Sequence, residues 1–320
     1  MLTVAIASHN GASTLRRVLE GYAAATPPPA DWRLVLVDNA STDDTSAIIE
    51  RFAARLPIVH LHQPRRGKNC ALNLAISHFC GDLVVMSDDD AIPAQDFLVR
   101  WADVPERHPE YAIFGGTVLP EWPAATPRWL LDSALDFAAA FAVTPPDHPA
   151  GPTRPEWVFG PNMAVRREVF ERGFRFDESV GPSGRSYRMG SETSFLLTLH
   201  YAGFRARFFP EIVVHHIIRA RQLERRWIRQ RALNFGRGAY LQDQMNAAGS
   251  HERVWRGVAL GRAKGRLEHL PRHHIALLLA HLRGDPSWIA RAEWYAGVER
   301  GYLKEALAGV GPGNKPPAAG

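Results

Sequence analysis

Three consecutive aspartates, Asp88, Asp89 and Asp90, follow the apolar run Leu83-Val84-Val85-Met86 and precede Ala91-Ile92-Pro93. Carboxylates this close repel one another and resist desolvation, so the triplet by itself adds nothing to stability. Two kinds of structure accommodate it. If the apolar run is a buried strand, the carboxylates emerge at its carboxyl end, where open α/β sheets bind ligands. A divalent cation, which takes oxygen ligands and bridges to substrate phosphates, would then relieve the repulsion. Otherwise the triplet is a solvated acidic turn that caps a helix beginning near Pro93. Asp38 ends another apolar run, and Arg65-Arg66-Gly67-Lys68-Asn69 precedes a helical stretch whose amino-terminal N–H groups favour anions. A solvated basic loop is the plain alternative for those cations. Carboxylates for metal and ribose hydroxyls, with cations beside them, suit a nucleoside diphosphate. No GxGxxG and no Walker loop occurs, so neither a dinucleotide site nor a P-loop is indicated.

A sheet is needed to gather these groups. Hydrophobic periodicity predicts strands at 2–7, 32–37, 58–62 and 83–86, and helices at 12–25, from the cap cluster 38–44 through Arg55, and at 67–79. That order implies a largely parallel sheet with right-handed crossovers and helices on both faces. Both Asp38 and the triplet then lie on its carboxyl edge. Residues 122–156 are rich in proline and alanine, with a helix expected at 128–141 and a long loop at 144–155. Order resumes at 158–166; a glycine-rich stretch, 173–190, leads to a helix at 191–201 and strands near 205–209 and 212–215. Beyond His216 the pattern is helical, at 222–247, 251–269, 272–283 and 288–307, and the small-residue tail 309–320 is expected to be disordered.

Composition narrows the classes. The chain has 320 residues, 46% hydrophobic and 22% charged, which is globular and long enough for a sizeable core. Cys70 and Cys80 are the only cysteines, so there is no disulfide framework and no CxxC metal site; both read as small core residues on a helix. The amino terminus lacks the basic start and long apolar stretch of a signal peptide, and no run approaches the roughly 18 apolar residues of a membrane span. A cytoplasmic protein is the expectation. Net charge is +5, with a surplus of about nine positive charges between residues 215 and 310. No nucleic-acid motif accompanies those cations, so nucleic acid is not an expected partner. A solvated helical face with some attraction to a membrane surface is, and peripheral association at the cytoplasmic face follows from it.

The motifs taken in order carry a resemblance. Val4-Ala5-Ile6-Ala7-Ser8-His9-Asn10, Leu36-Val37-Asp38-Asn39-Ala40-Ser41-Thr42-Asp43-Asp44-Thr45, Gly67-Lys68-Asn69-Cys70-Ala71-Leu72-Asn73 and Asp88-Asp89-Asp90 resemble the family-2 glycosyltransferases. Gly160-Pro161-Asn162-Met163-Ala164-Val165-Arg166-Arg167, Phe176-Asp177-Glu178 and Gly190-Ser191-Glu192-Thr193 continue the match, to about residue 240. The resemblance implies an α/β, Rossmann-like GT-A fold, a nucleotide-sugar donor, a divalent metal (Mn2+ or Mg2+) and inversion at the anomeric carbon. It implies a glycosyltransferase domain over 1–220, with a nucleotide-sugar half to about 118 and an acceptor half from 119. A helical extension over 221–308 would follow.

Roles follow from the same resemblance. Asp38 matches the family's base-recognising aspartate, and Ser8 lies where nucleoside contacts occur. Asp88 matches the first acid of the DXD motif, near ribose and metal; Asp90 matches the metal-binding acid, and Asp89 shares either task. Lys68 or Arg66 would assist at the diphosphate. Glu192 matches the catalytic base, although the family usually has Glu-Asp where this chain has Ser191-Glu192; the alternative is a favourable charge in a first helical turn. His215-His216 follows a strand where relatives can use a histidine near metal or diphosphate, which makes His215 a further metal candidate; a satisfied histidine pair is the other possibility. Asp177 and Glu178 are expected to be turn and cap residues. Trp122, Trp129 and Trp157 flank the presumed acceptor side, where one could stack on a sugar. Gln222 and Arg225-Arg226-Trp227 resemble the QxxRW element of processive synthases, but the spacing is off by one and spans are lacking. The expected activity is a hexosyl transfer, with UDP-sugar as donor and a glycan or lipid-linked acceptor. A sugar-phosphate nucleotidyltransferase would carry a glycine-rich loop in place of Ser8-His9-Asn10-Gly11-Ala12-Ser13, and a non-catalytic carbohydrate-binding relative would not need both Asp90 and Glu192.

Overall fold

The computed structural model describes residues 1–182, 187–249, 265, 271–273 and 275–308. The chain divides into two compact units. The first comprises Met1–Ala124, Asp136–Tyr187 and Ser191–Arg219. Its amino-terminal half runs β1 (Leu2–Ser8), α1 (Ala12–Ala24), β2 (Trp32–Asp38), α2 (Thr45–Phe52), β3 (Ile58–His62), α3 (Lys68–Ile76) and β4 (Leu83–Asp88). After β4 the chain continues through β5 (Ala91–Pro93), α4 (Phe97–Arg107), β6 (Ile113–Glu121), α5 (Arg128–Leu131, in the second unit), α6 (Phe137–Phe141), β7 (Gly151–Thr153), β8 (Met163–Arg166), α7 (Arg167–Glu171), β9 (Gly181–Pro182), β10 (Tyr187–Arg188), α8 (Ser191–Tyr201) and β11 (Ala206–Ile217).

Among the described residues the main sheet has nine strands, in the order β3-β2-β1-β4-β8-β6-β11-β5 with β7 against β11. β1 to β4 are mutually parallel, and β8 enters antiparallel between β4 and β6. Each central strand is apolar on both sides because helices cover both faces. Leu2, Val4 and Ile6 of β1, with Leu83 and Val85 of β4, join Leu15, Val18 and Leu19 of α1 and Ile49 of α2 in one core. Ala5, Val84 and Met86 face the other way, against Ala71, Leu72 and Ile76 of α3 and Phe195 and Leu196 of α8.

Four details differ from the sequence-based expectation. Asp88 belongs to the strand itself, and Ala91–Pro93 forms β5 on the edge of β11, so the next helix starts at Phe97 and not near Pro93. Proline suits β5 because an edge strand leaves one side of the ladder without partners. The expected helix over 128–141 is two short ones: Ala134 takes φ 48°, and the Asp136 carboxylate accepts Ala139 N–H at 3.0 Å to start the second. The loop expected at 144–155 contains β7. The two strands expected around 205–215 are one, β11, whose register against β6 slips between Phe209 and Val213; Pro210, which has no N–H to donate, sits in that bulge.

The second unit comprises Ala125–Leu135, Arg188–Gly190 and the described residues from Ala220 onward. The region expected to be helical at 251–269 and the tail 309–320 lie outside the described residues, apart from Gly265. α9 (Arg225–Gly249) and the carboxyl-terminal helix Pro286–Ala308 run in the same direction, since Arg225 pairs with Glu293 and Arg237 with Glu305. Glycines bring the backbones together: a β-carbon at Gly236 or Gly301 would collide with the carbonyl of Val298 or Leu233. None of the described helices is long and apolar enough to cross a membrane.

Glu305 is nearly buried and accepts from Arg188 at 2.6 Å and Arg237 at 2.8 Å. Burial alone would raise its pKa, but the two guanidinium groups lower it further than burial raises it. The stabilisation is therefore complete above the ordinary carboxyl value of about 4.3 and is lost as pH falls through the depressed native value. Glu305→Gln removes the buried charge that Arg188 and Arg237 share and is expected to cost about 3 kcal/mol at neutral pH. Thermal melts as a function of pH check this: the mutant deficit should shrink in acid.

Candidate active site at the carboxyl edge of the sheet

Strand register places the polar groups. Ser8 stands opposite Asp38 on β1 and β2, and Ala7 opposite Asp88 on β1 and β4, so three strands end side by side. Asp38 is buried, its Oδ1 accepting Ser41 N–H and its Oδ2 the Ser46 hydroxyl, each at 3.0 Å. Burial would raise its pKa, but these hydrogen bonds lower it further, so it is an anion held ready at the strand end. Asn39 next to it donates to the carbonyls of Gln63 (3.1 Å) and Arg65 (2.7 Å) and accepts Gly67 N–H at 2.8 Å, which shapes the basic loop. Gly67 takes φ 148°, in the region glycine favours.

Each aspartate of the triplet has a different partner. Asp88 Oδ1 lies 2.7 Å from Lys68 Nζ, and the same ammonium is 2.6 Å from Glu192 Oε1. Asp89 accepts the Ser8 hydroxyl at 2.6 Å. Asp90 faces Arg219 at 3.1 Å and His216 Nε2 at 3.4 Å, while Arg219 also approaches Asp89 at 3.5 Å. His216 Nδ1 lies 2.9 Å from the Phe141 carbonyl, which only accepts; that nitrogen therefore carries a proton and Nε2 is the one turned to Asp90. Burial raises Asp88 against the pull of Lys68, and burial together with the Asp90 charge pushes Asp89 up to about 7. Asp90 goes the other way: burial opposes ionisation, but His216 and Arg219 win and lower it. His216 is raised in turn, burial being outweighed by Asp90.

The sequence candidates thus fall into groups. Ser8 pairs with Asp89, Lys68 bridges Asp88 and Glu192, Asp90 shares Arg219 with Asp89, and Asp38 lies beside Ser8 in register. Arg66 donates to His9 Nε2 at 2.6 Å on the exposed loop. His215 does not face the aspartates. A strand alternates its side chains, so His215 is exposed and His216 is the histidine beside Asp90. Arg219, four residues beyond His215, was also not among the candidates, and only the pairing of β11 with β5 brings it near the triplet.

Other motif residues hold the frame. Asn69 donates to the Asp177 and Val180 carbonyls, and Asn73, one turn on, brackets Phe176 through its own N–H and C=O. Glu178 pairs with Arg65. The loop containing Asp177 and Glu178 is thereby clamped to α3, and two asparagines at i, i+4 were the signal for it. Arg166 donates to the carbonyls of Tyr111, Pro105 and His108. Asn162 donates to Thr117 and Ile212 across the β11 bulge, and the Pro161 carbonyl accepts the Ser87 hydroxyl.

Gly160 has the most direct effect on the candidate base. A β-carbon there would lie 2.6 Å from Glu192 Oε1 and 2.8 Å from its Cγ and Cδ. A flexible side chain can move aside, so Gly160→Ala should fold normally yet displace the Glu192 carboxylate. Misplacement by about 1 Å can cost on the order of 100-fold in rate. We expect Gly160→Ala to lower kcat at least 10-fold with little change in donor affinity, measured by steady-state kinetics beside donor titration.

A divalent metal fits this donor set. The triplet offers hard oxygen ligands, and burial, with repulsion from Asp90, raises the carboxyls of Asp88 and Asp89. Among the described residues no three His, Cys, Asp or Glu side chains form a ready metal cage. A magnesium-type site would need only one or two of these carboxylates, its shell being completed by substrate phosphates and water.

Comparison with known proteins agrees with the architecture. Residues 3–174 match the profile of glycosyl transferase family 2. The succinoglycan biosynthesis protein ExoM of Rhizobium meliloti is 27% identical over 220 residues, 66% of this chain and 64% of that protein. A glucosyl-dolichyl phosphate glucuronosyltransferase of Haloferax volcanii is 23% identical over 212 residues, 66% of each chain. The chain thus spans just under two thirds of the length of these relatives. Among solved structures, the mannosyltransferase PcManGT from Pyrobaculum calidifontis, in complex with GDP-Man and Mn2+, superposes with a TM-score of 0.59 at 20% identity, covering 94% of this chain and 86% of that one. TarS residues 1–349 of S. aureus with UDP gives 0.54 at 15% identity, covering 95% and 91%. At these identities the likeness shows the fold, GT-A. The family profile covers more than half of the sequence, and the chain belongs to glycosyl transferase family 2.

Proposed function

We propose that the enzyme moves a hexose from a UDP-sugar to a hydroxyl of a glycan or lipid-linked acceptor, with inversion, by a single displacement. The observation that carries this is the shared strand edge, where Ser8 donates to Asp89, Lys68 bridges Asp88 and Glu192, and the buried anion Asp38 stands opposite Ser8. Asp38 and Ser8 would receive the nucleoside. Asp90 and Asp88 would hold the metal, which when bound neutralises charge on the diphosphate. Lys68 and Arg66 add positive charge on that side. Glu192 takes the proton of the acceptor hydroxyl as its oxygen bonds to the anomeric carbon and the bond from that carbon to the diphosphate oxygen breaks. Uridine is our choice because Asp38 matches the family's base-recognising aspartate; among the solved structures TarS carries UDP or UDP-GlcNAc and PcManGT carries GDP-Man. We further propose that the reaction takes place in the cytoplasm.

A panel of UDP-, GDP- and dTDP-sugars with manganese or magnesium tests the reading. We expect one UDP-sugar to raise the melting temperature only with metal present, and to release UDP when acceptor glycans are added. Stabilisation by GDP-sugars alone would reject the uridine assignment; a response to no nucleotide sugar would reject the donor site.

A further inference from the structure

Residues 271–273 and 275–283 are helical, and the helix buries its less apolar side. Ala280 is buried and Leu277 and His273 are half-buried, whereas Ile275, Leu278, Leu279 and Leu282 are 57%, 61%, 50% and 76% exposed. Spaced i, i+3, i+4, i+7, these four form one stripe of about 100°. An amphipathic helix is normally stabilised by burying such a stripe, and this one leaves it in water. Exposed Arg272 and Arg283 lie along one edge of the stripe, and the Arg283 guanidinium sits 5.0 Å from the ring centre of Trp288, itself 54% exposed. No aspartate or glutamate occurs from Pro271 to Gly284. Asp285, the first acid after it, is engaged in accepting Ser287 N–H at 2.8 Å at the start of the next helix.

We propose that this helix docks on an anionic lipid bilayer. It lies in the interface plane with the leucine stripe among the acyl chains, while Arg272 and Arg283 reach headgroup phosphates and Trp288 sits at the boundary. Charge selects this partner. Joining the stripes of two copies would bring four arginines together with no acid on that helix to offset them, whereas anionic headgroups match them. Docking needs nothing from the donor site, so it and the transfer chemistry fail independently.

Co-sedimentation of the full-length protein with vesicles decides the matter. Phosphatidylcholine–phosphatidylglycerol vesicles at low salt should carry the protein down, and pure phosphatidylcholine vesicles should not. The pair Leu278→Glu and Leu282→Glu should cut vesicle binding at least about 10-fold, and Arg272→Ser with Arg283→Ser, or high salt, should cut it several-fold. These positions are solvent-exposed, so melting temperatures should match the wild type. Wild-type protein that stays in the supernatant, or a leucine-pair variant that sediments unchanged, would overturn the proposal. So would a dimer, seen by light scattering, that the leucine-pair variant dissolves, since a second copy would then be what covers the stripe.

Discussion

Glu192→Gln should bind donor as the wild type does and transfer sugar about 100- to 10,000-fold more slowly, the usual worth of a positioned general base. The side chain stands in the first turn of α8, with Lys68 Nζ 2.6 Å from Oε1 and Gly160 leaving it room. Glutamine keeps the shape and accepts the same hydrogen bond, so the frame persists while the proton acceptor is lost. Lys68 keeps Asp88 as its partner at 2.7 Å, and so is not left without a counter-charge. The discriminating measurements are donor titration and single-turnover transfer on the same preparation. Unchanged turnover would move the base elsewhere; a parallel loss of donor affinity would mean that Glu192 serves the donor site. The shared lysine also links the carboxylate that would hold metal to the one that would take the proton, although 104 residues separate Asp88 from Glu192.

The second large effect is expected at Asp90. Asp90→Asn removes the charge that His216 and Arg219 flank, with nearly the same volume. Metal-dependent donor binding should weaken at least about 30-fold, since loss of one buried, hydrogen-bonded charge in a binding site costs roughly 2–5 kcal/mol. Thermal shift separates this from a folding defect: the apo protein should melt near the wild-type temperature because Arg219 retains Asp89 and Thr14 as partners. The variant should no longer gain stability from manganese with nucleotide. Asp89→Asn should have the milder effect, because Asp89 is already drawn toward its neutral form by burial and by Asp90.

Much of the amino-terminal half was legible in the sequence for a physical reason. Parallel strands buried on both faces read as unbroken apolar runs, and the turns between them carry cap and breaker residues that mark their ends. Asp38 and Asp88 could therefore be put on one edge before any coordinate was known. What escaped depends on pairing across distance. β5 is three residues long and ends in proline, so it has no period of its own. The two strands expected near 205–209 and 212–215 are one because a bulge, which local periodicity does not reveal, carries the strand past Pro210. The choice between His215 and His216 rests on which face of β11 meets the triplet, and a one-residue slip reverses it. Arg219 enters by the same pairing. Gly160 carries no side chain to attract notice, and its importance appears only once Glu192 stands against it.

A crystal structure of the protein with UDP and manganese tests the central claim most directly, because manganese can be located by its anomalous signal. The account predicts an anomalous peak at coordination distance from an Asp90 or Asp88 oxygen and from the diphosphate, with the uracil beside Asp38 and Ser8. A peak elsewhere, or a nucleotide bound with the Ser8, Asp38 and triplet edge still open to solvent, would contradict it.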